Sequence, residues 1–261
     1  MSTPKGSVSF DGAADTYDAT RAWPEHVQRA QTEALLAQLD GRRVLEIGVG
    51  TGRIARPLAE RGVRVTGVDI APRMLARLIE QLDVRHTKPD LLLADATRLP
   101  FADASFGAAY AVHVLHLVSD WQATLEELRR VLAPGGIFVH HNTHHEPDGW
   151  APHIEKWKEL LARRGFTPRV RPSAEQIASK LRELGASLQS KVYAEDEERH
   201  TAAFFIEETR NRVGSWSWEI PDEIFADCLP AYEAFMRDYY GDLHRELVQR
   251  VTYEIDVWTF P

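Results

Sequence analysis

The sequence predicts an α/β fold: a mostly parallel sheet with helices on both faces, a late antiparallel strand and helical insertions that act as a lid. Three observations predict it. Between residues 43 and 141, apolar runs of strand length alternate with helical stretches, joined by short connections. The first run ends in Glu46 and breaks into glycines at Gly48, Gly50 and Gly52, a sharp turn into the next helix. Near the C-terminus, Val251, Tyr253, Ile255, Val257 and Thr259 fall on one face of an alternating segment.

The elements follow in order. Residues 25–40 have helical spacing through Val27, Ala30, Ala34, Leu35 and Leu39, stopped by Asp40–Gly41. Arg43–Ile47 reads as a strand, Arg53–Arg61 as a helix and Val63–Ile70 as a strand. Pro72 suits the first turn of a helix that runs to about Leu82. Asp90–Ala94 and the apolar Phe106–Val112 are strands, and Trp121–Leu132 is a helix with Leu125, Leu128 and Leu132 on one side. Ala133–Pro134–Gly135–Gly136 breaks it before a strand over Ile137–His141. Beyond 141 the order loosens. Helices are expected over His153–Arg164, Ser173–Leu184, Thr201–Thr209 and Pro221–Tyr239, and a strand over Leu188–Tyr193. Ser173 and Gln176 form a capping box, and Gly185 closes that helix. We read one domain over 1–261: a core of 25–141, 173–193 and 250–261, with lid elements 1–24, 142–172 and 200–245.

Composition narrows the function. A hydrophobic fraction of 44% in 261 residues supports a full core. The net charge of −8 speaks against a sequence-independent grip on nucleic acid. The single cysteine, Cys228, allows no intrachain disulfide. Neither a signal-peptide core nor a run of the ~18 apolar residues of a membrane span is present. These features are those expected of a cytoplasmic protein.

Seventeen positions after Gly52 comes Asp69, at the end of a second apolar strand. A glycine turn followed by an acid about 20 residues after its first glycine marks a nucleoside cofactor site, the acid taking the ribose hydroxyls. The dinucleotide fingerprint needs glycine or alanine at its sixth position, which here is Arg53. A pyrophosphate favours a helix N-terminus, whereas Glu46 at the strand end suits a positively charged ligand.

The form E-x-G-x-G-x-G resembles motif I of class I S-adenosylmethionine (SAM) methyltransferases. The resemblance extends to Leu92–Leu93–Ala94–Asp95–Ala96, to Leu99–Pro100–Phe101–Ala102–Asp103–Ala104–Ser105–Phe106, and to Leu128–Arg129–Arg130–Val131–Leu132–Ala133–Pro134–Gly135–Gly136. Phe10, Asp11, Ala14, Tyr17, Asp18 and Arg21 are similar to the N-terminal segment that closes over the cofactor in the UbiE-like, small-molecule branch. The match is close over 10–141 and loose over 142–249.

The resemblance implies a Rossmann-like class I methyltransferase sheet that binds SAM and releases S-adenosylhomocysteine (SAH). The implied cofactor-binding set is Tyr17, Arg21, Glu46, Gly48, Gly50, Gly52, Asp69, Ile70, Met74, Asp95, Ala96 and His113. Asp69 would take the ribose and Asp95 with the Ala96 N–H the adenine edge. Met74 would pack on the adenine or sit in the core. His113 and His116 follow the fourth strand and are the candidate catalytic residues, as general bases or as shape-forming side chains. His140, His141, His144 and His145, with Glu146 and Asp148, suggest a metal, but His140 and His141 as strand neighbours point to opposite faces, so no metal is expected; one or two of these histidines would line the substrate pocket and the rest the surface. Aromatics such as Trp150, Trp157, Tyr232 and Phe235 serve either the lid's core or an acceptor wall, and Arg210 and Arg212 either the surface or an acidic substrate group.

The expected activity is methyl transfer to a small-molecule acceptor through an O, N or C nucleophile by in-line displacement. Positioning in a dry pocket would supply most of the catalysis. Two alternatives stand beside it: a protein that binds SAM or SAH without methyl transfer, and a macromolecule methyltransferase. The expected partners are the small acceptor and no nucleic acid, with the chain a monomer or homodimer.

Overall fold

In the computed structural model, the described residues are 6–39, 41–82, 88–146, 151–169 and 171–261. They contain β1 (Arg43–Ile47), β2 (Arg64–Asp69), β3 (Asp90–Leu93), β4 (Phe106–Ala111), β5 (Leu132–Glu146), β6 (Ser187–Thr201) and β7 (Glu246–Thr259). These make one seven-stranded sheet in the order β3-β2-β1-β4-β5-β7-β6. β3, β2, β1, β4 and β5 pair in parallel, and the sheet holds one antiparallel pair. The helices are α1 (Tyr17–Arg21), α2 (Glu25–Leu39), α3 (Ala55–Glu60), α4 (Pro72–Glu80), α5 (Trp121–Val131), α6 (Ala151–Arg163), α7 (Ala174–Glu183), α8 (Ala202–Arg210) and α9 (Asp222–Tyr240). Asp40, Asp148 and Trp150 lie outside the described residues.

The chain divides into two compact units. The first comprises Met1–Thr143, Arg171–Ala194 and Tyr253–Pro261, the second His144–Val170 and Glu195–Thr252. In the first unit the strand period of two feeds two apolar layers. Leu45, Ile47, Ala109 and Ala111 belong to one layer, with Leu125, Leu128, Leu181 and Trp258. Val44, Ala108 and Tyr110 belong to the other, with Leu35, Leu58 and Leu78. β1 is therefore buried on both sides, and its C-terminal end is fixed at the sheet's centre.

Caps fix the helices that border this end. Asp120 Oδ1 accepts from the N–H groups of Gln122 and Ala123 at the start of α5. The Ser173–Gln176 capping box starts α7, as the sequence predicts.

The second unit has its own core of Trp157, Leu161, Phe205, Phe225, Tyr232 and Met236, so most of the aromatics beyond 141 pack against one another. Arg210 pairs with Glu207 and Glu233, and Arg212 with Asp222. Both arginines are thus engaged within the unit rather than held for a substrate.

Candidate functional site

Past β1 the chain turns at once. The N–H groups of Gly48 and Val49 both donate to Val68 O, at 2.9 and 3.0 Å. Gly48, Gly50 and Gly52 have φ of +71°, +54° and +76°, a left-handed region that disfavours side chains. Space demands glycine too. A Cβ on Gly48 would stand 2.6 Å from Val114 Cγ2, and one on Gly52 2.2 Å from Leu78 Cδ1.

The turn is bound to the next strand end. Asp69 Oδ2 accepts from Gly50 N–H at 2.8 Å and Oδ1 accepts from Ala71 N–H at 2.9 Å. Burial pushes the Asp69 pKa up, while these backbone donors oppose the rise. Each carboxylate oxygen retains a lone pair for a further donor. Ile70, next along, is half-buried.

Asp95 stands two residues beyond β3, whose Leu93 is the register partner of Asp69. Its Oδ1 accepts from both N–H and Oγ1 of Thr97 at 2.9 Å, and the side chain is exposed. Ala96 is buried behind it. Arg130 fixes the segment that follows, donating to Leu99 O at 3.0 Å, Phe101 O at 2.7 Å and Asp103 at 2.9 Å. Glu127 in turn accepts from Leu99 N–H at 2.7 Å. Two of the sequence motifs therefore meet through one arginine.

Glu46 is not presented to open space. It is 3% exposed, and Tyr110, its register partner on β4, donates an O–H bond to its Oε2 at 2.6 Å. Burial drives its pKa up to about 8, against the effect of the Tyr110 bond and with the Asp69 charge adding to the rise. The carboxyl carries a proton at neutral pH in this state.

The N-terminal segment straps across the turn. Thr51 Oγ1 donates to Asp18 Oδ1 at 2.6 Å, and Arg53 donates to Arg21 O. Arg73 and Arg77 of α4 both pair with Asp15 at 2.6 Å. On the other side, Val8 N–H donates to Leu117 O at 2.8 Å. Phe10 and Tyr17 pack with Ala14 and Ala71 around Met74, which is 2% exposed beneath the strap. Burial raises the Tyr17 pKa, and Arg53, Arg21 and Asp69 are among the charges that face it.

The histidines gather at the ends of β4 and β5. His113 adopts φ +53°, strained for a residue with a side chain. His140 is close by: its register partner is Ala111. Desolvation pulls His113 and His140 down to about 4 and His116 to about 3. All three are neutral at pH 7. His113 is exposed, and its ring meets that of His141 at 5.0 Å.

His141, adjacent to His140, is buried. It stacks on Trp23 at 4.8 Å, and its Nε2 lies 2.7 Å from Tyr193 Oη. Trp23 also meets His113 at 5.7 Å, and the Arg53 guanidinium lies 4.4 Å above its ring. His144 and His145 belong to the other unit. Among the described residues, no group of three or more His, Cys, Asp or Glu is arranged to hold a metal ion.

Three residues at this edge were not picked out as site residues from the sequence: Trp23, Tyr110 and Tyr193. Tyr110 had a signal, a lone hydroxyl in the otherwise apolar run Phe106–Val112. Trp23 and Tyr193 had none, because their partners come from distant strands.

Residues 45–140 match a family model described as a methyltransferase domain. The chain is 37% identical over 134 residues to a malonyl-[acyl-carrier protein] O-methyltransferase of Serratia marcescens, covering 50% of this chain and 49% of that protein. It is 38% identical over 154 residues to a demethylmenaquinone methyltransferase of Beutenbergia cavernae, covering 55% and 59%. It thus spans about half the length of the first and three-fifths of the second. Among solved structures, the YcgJ protein of Bacillus subtilis superposes with a TM-score of 0.61 at 16% identity, covering 90% of this chain and 99% of that one, a likeness of fold. No described helix is long and apolar enough to cross a membrane.

Proposed function

We propose that the chain, whose residues 45–140 match a methyltransferase-domain model, is a class I SAM-dependent methyltransferase that transfers a methyl group from SAM to a small-molecule acceptor. The observation that carries the reading is the junction of three strand ends. Gly48–Gly52 turns in left-handed backbone, Asp69 is bound to that turn, and Asp95 stands exposed beyond the neighbouring strand.

The residues present fit an adenosyl sulfonium. Asp69 has acceptor capacity left for the ribose hydroxyls, and Asp95 Oδ2 is open beside the buried Ala96 for the adenine amino group. Tyr17, Arg21 and Met74 border the same space, and Glu46 lies buried against Tyr110 at the end of β1. When bound, SAM supplies an electrophilic methyl whose leaving group is a neutral thioether.

The chain's own work is then to exclude water and to orient the acceptor. The strap of residues 7–23 contributes the first. His113, neutral and desolvated beside Trp23, contributes the second, and takes the acceptor's proton where one must leave. His116, half-buried three residues on, supports it.

We further place the protein in the cytoplasm as a monomer or homodimer that acts without nucleic acid, in keeping with its net charge of −8 and single cysteine. The test is to incubate it with SAM and a panel of small hydroxyl, amine and carbon acceptors and to measure SAH release. Release that depends on an acceptor supports the reading. SAH binding with no acceptor-dependent release across the panel would favour a binding protein instead.

A further inference from the structure

His113 is held by rings rather than by hydrogen bonds. Its backbone is left-handed at φ +53°, a conformation that persists only where the surroundings over-determine it. The side chain is exposed, and among the described residues none hydrogen-bonds to its ring. Two rings meet it in T-shaped contacts instead, His141 at 5.0 Å and Trp23 at 5.7 Å. Both ring nitrogens of His113 are therefore left for a ligand. The direction in which they point depends on what holds those two neighbours.

Both neighbours are anchored. Trp23 and His141 stack on each other at 4.8 Å. The Arg53 guanidinium lies 4.4 Å from the Trp23 centroid, and the buried Tyr253 ring lies 5.7 Å from it. His141 is 4% exposed, and its Nε2 is 2.7 Å from Tyr193 Oη. His141 stands on β5, Tyr253 on β7 and Tyr193 on β6, three strands that follow one another across the sheet. Tyr253 lies 6.4 Å from His141 and 6.1 Å from Tyr193. All of these residues lie in the same compact unit. Of the five rings in this seat, His113 is the exposed one.

The Tyr193 bond adds what stacking does not. Stacked rings slide and turn at little cost, whereas a hydrogen bond to one nitrogen fixes both the tilt and the tautomer of an imidazole. Burial raises the Tyr193 pKa, so its hydroxyl keeps its proton. A buried imidazole is favoured in its neutral form. Neutrality matters here because His113 becomes a cation when it takes the acceptor's proton. A neutral aromatic ring within about 6 Å attracts that charge, and a second imidazolium would repel it.

We propose that His141 is a positioning residue for His113, and that Tyr193 locks His141 in that role. The proposal rests on the methyl-transfer reading and deepens it: the proton leaves the acceptor for a histidine whose orientation is set from the sheet beneath. The exposed His113 ring then returns that proton to water.

Two measurements test it. The first needs no acceptor. In proton–nitrogen NMR of the histidine side chains of SAH-saturated protein, His141 should show one tautomer in wild type and a mixture in Tyr193→Phe. The His113 ring signals should move in the same variant, while SAH affinity stays within about twofold. The second is kinetic, with an acceptor found by SAH release. Tyr193→Phe should lower kcat at least about tenfold and leave the KM for SAM within about twofold. The double variant Tyr193→Phe/His113→Ala should be no slower than His113→Ala alone, because Tyr193 acts through His113. His141→Gln keeps a polar group for Tyr193 but removes the ring, and should reproduce both the signal shift and the loss. Unmoved His113 signals, an unchanged kcat in Tyr193→Phe, or losses that add in the double variant would overturn the proposal. A parallel loss of SAH binding would assign the pair to the cofactor site and overturn it equally. Failure of wild type to bind SAH at all would instead count against the methyl-transfer reading.

Discussion

Tyr110 and Glu46 face each other on adjacent strands with a 2.6 Å hydrogen bond, and neither side chain reaches solvent. Tyr110 is a buried donor that holds the carboxyl under the glycine turn. Tyr110→Phe leaves Glu46 without it, and should lower stability by about 1–3 kcal/mol in urea unfolding. Loss well below that range would mean that water replaces the hydroxyl.

The same pair sets one limb of the pH dependence. Glu46 titrates near 8 when folded, above its ordinary value of 4.5. The folded state therefore holds a proton that the unfolded chain releases, and this contribution is full below 4.5 and lost as pH rises through about 8. Glu46→Gln should remove that loss, gaining on wild type between pH 5 and pH 8 in denaturation midpoint. A constant difference across that range would show that Glu46 does not titrate there.

The histidines set the opposite limb. His116 falls to about 3 when folded, from 6.5. The unfolded chain takes up its proton first, so stability is lost as pH falls below 6.5 towards 3. His116→Asn should flatten the acid side of the stability profile and leave the alkaline side as it is. An unchanged acid limb would place the His116 ring in water.

Gly52 is constrained twice, by φ +76° and by Leu78 Cδ1 at 2.2 Å from any Cβ. Gly52→Ala should therefore destabilise by roughly 1–3 kcal/mol, measured by thermal unfolding. Gly62, with φ +89° but nothing within 4 Å of a Cβ, is the control for backbone strain alone. Equal losses at the two positions would remove the packing argument.

Much of this was legible in the sequence. The alternation over 43–141, the capping box at Ser173 and the late strand appear where period and caps put them, because those signals are local, although β5 starts at Leu132, within the break expected at Ala133–Gly136, and runs on to Glu146. β6 runs to Thr201, well past the expected Tyr193, because its outer half is charged and lacks an apolar alternation. The strand ends that carry Glu46, Asp69 and Asp95 could be read from motifs. What holds those side chains could not: Tyr110 on Glu46, Arg53 and His141 against Trp23, and Arg130 on the Leu99–Asp103 segment are contacts across the chain. The glycines were expected to admit a ligand; the structure adds that Gly48 and Gly52 admit Val114 and Leu78.

The central claim is that the ends of β1, β2 and β3 bind an adenosyl cofactor without a pyrophosphate. Calorimetric titration of the whole protein with SAH, beside NAD, tests it most directly. The account predicts one SAH bound per chain, weakened by about 1–3 kcal/mol in Asp69→Ala, and no comparable heat from NAD. No SAH binding, or NAD binding that SAH fails to displace, would contradict it.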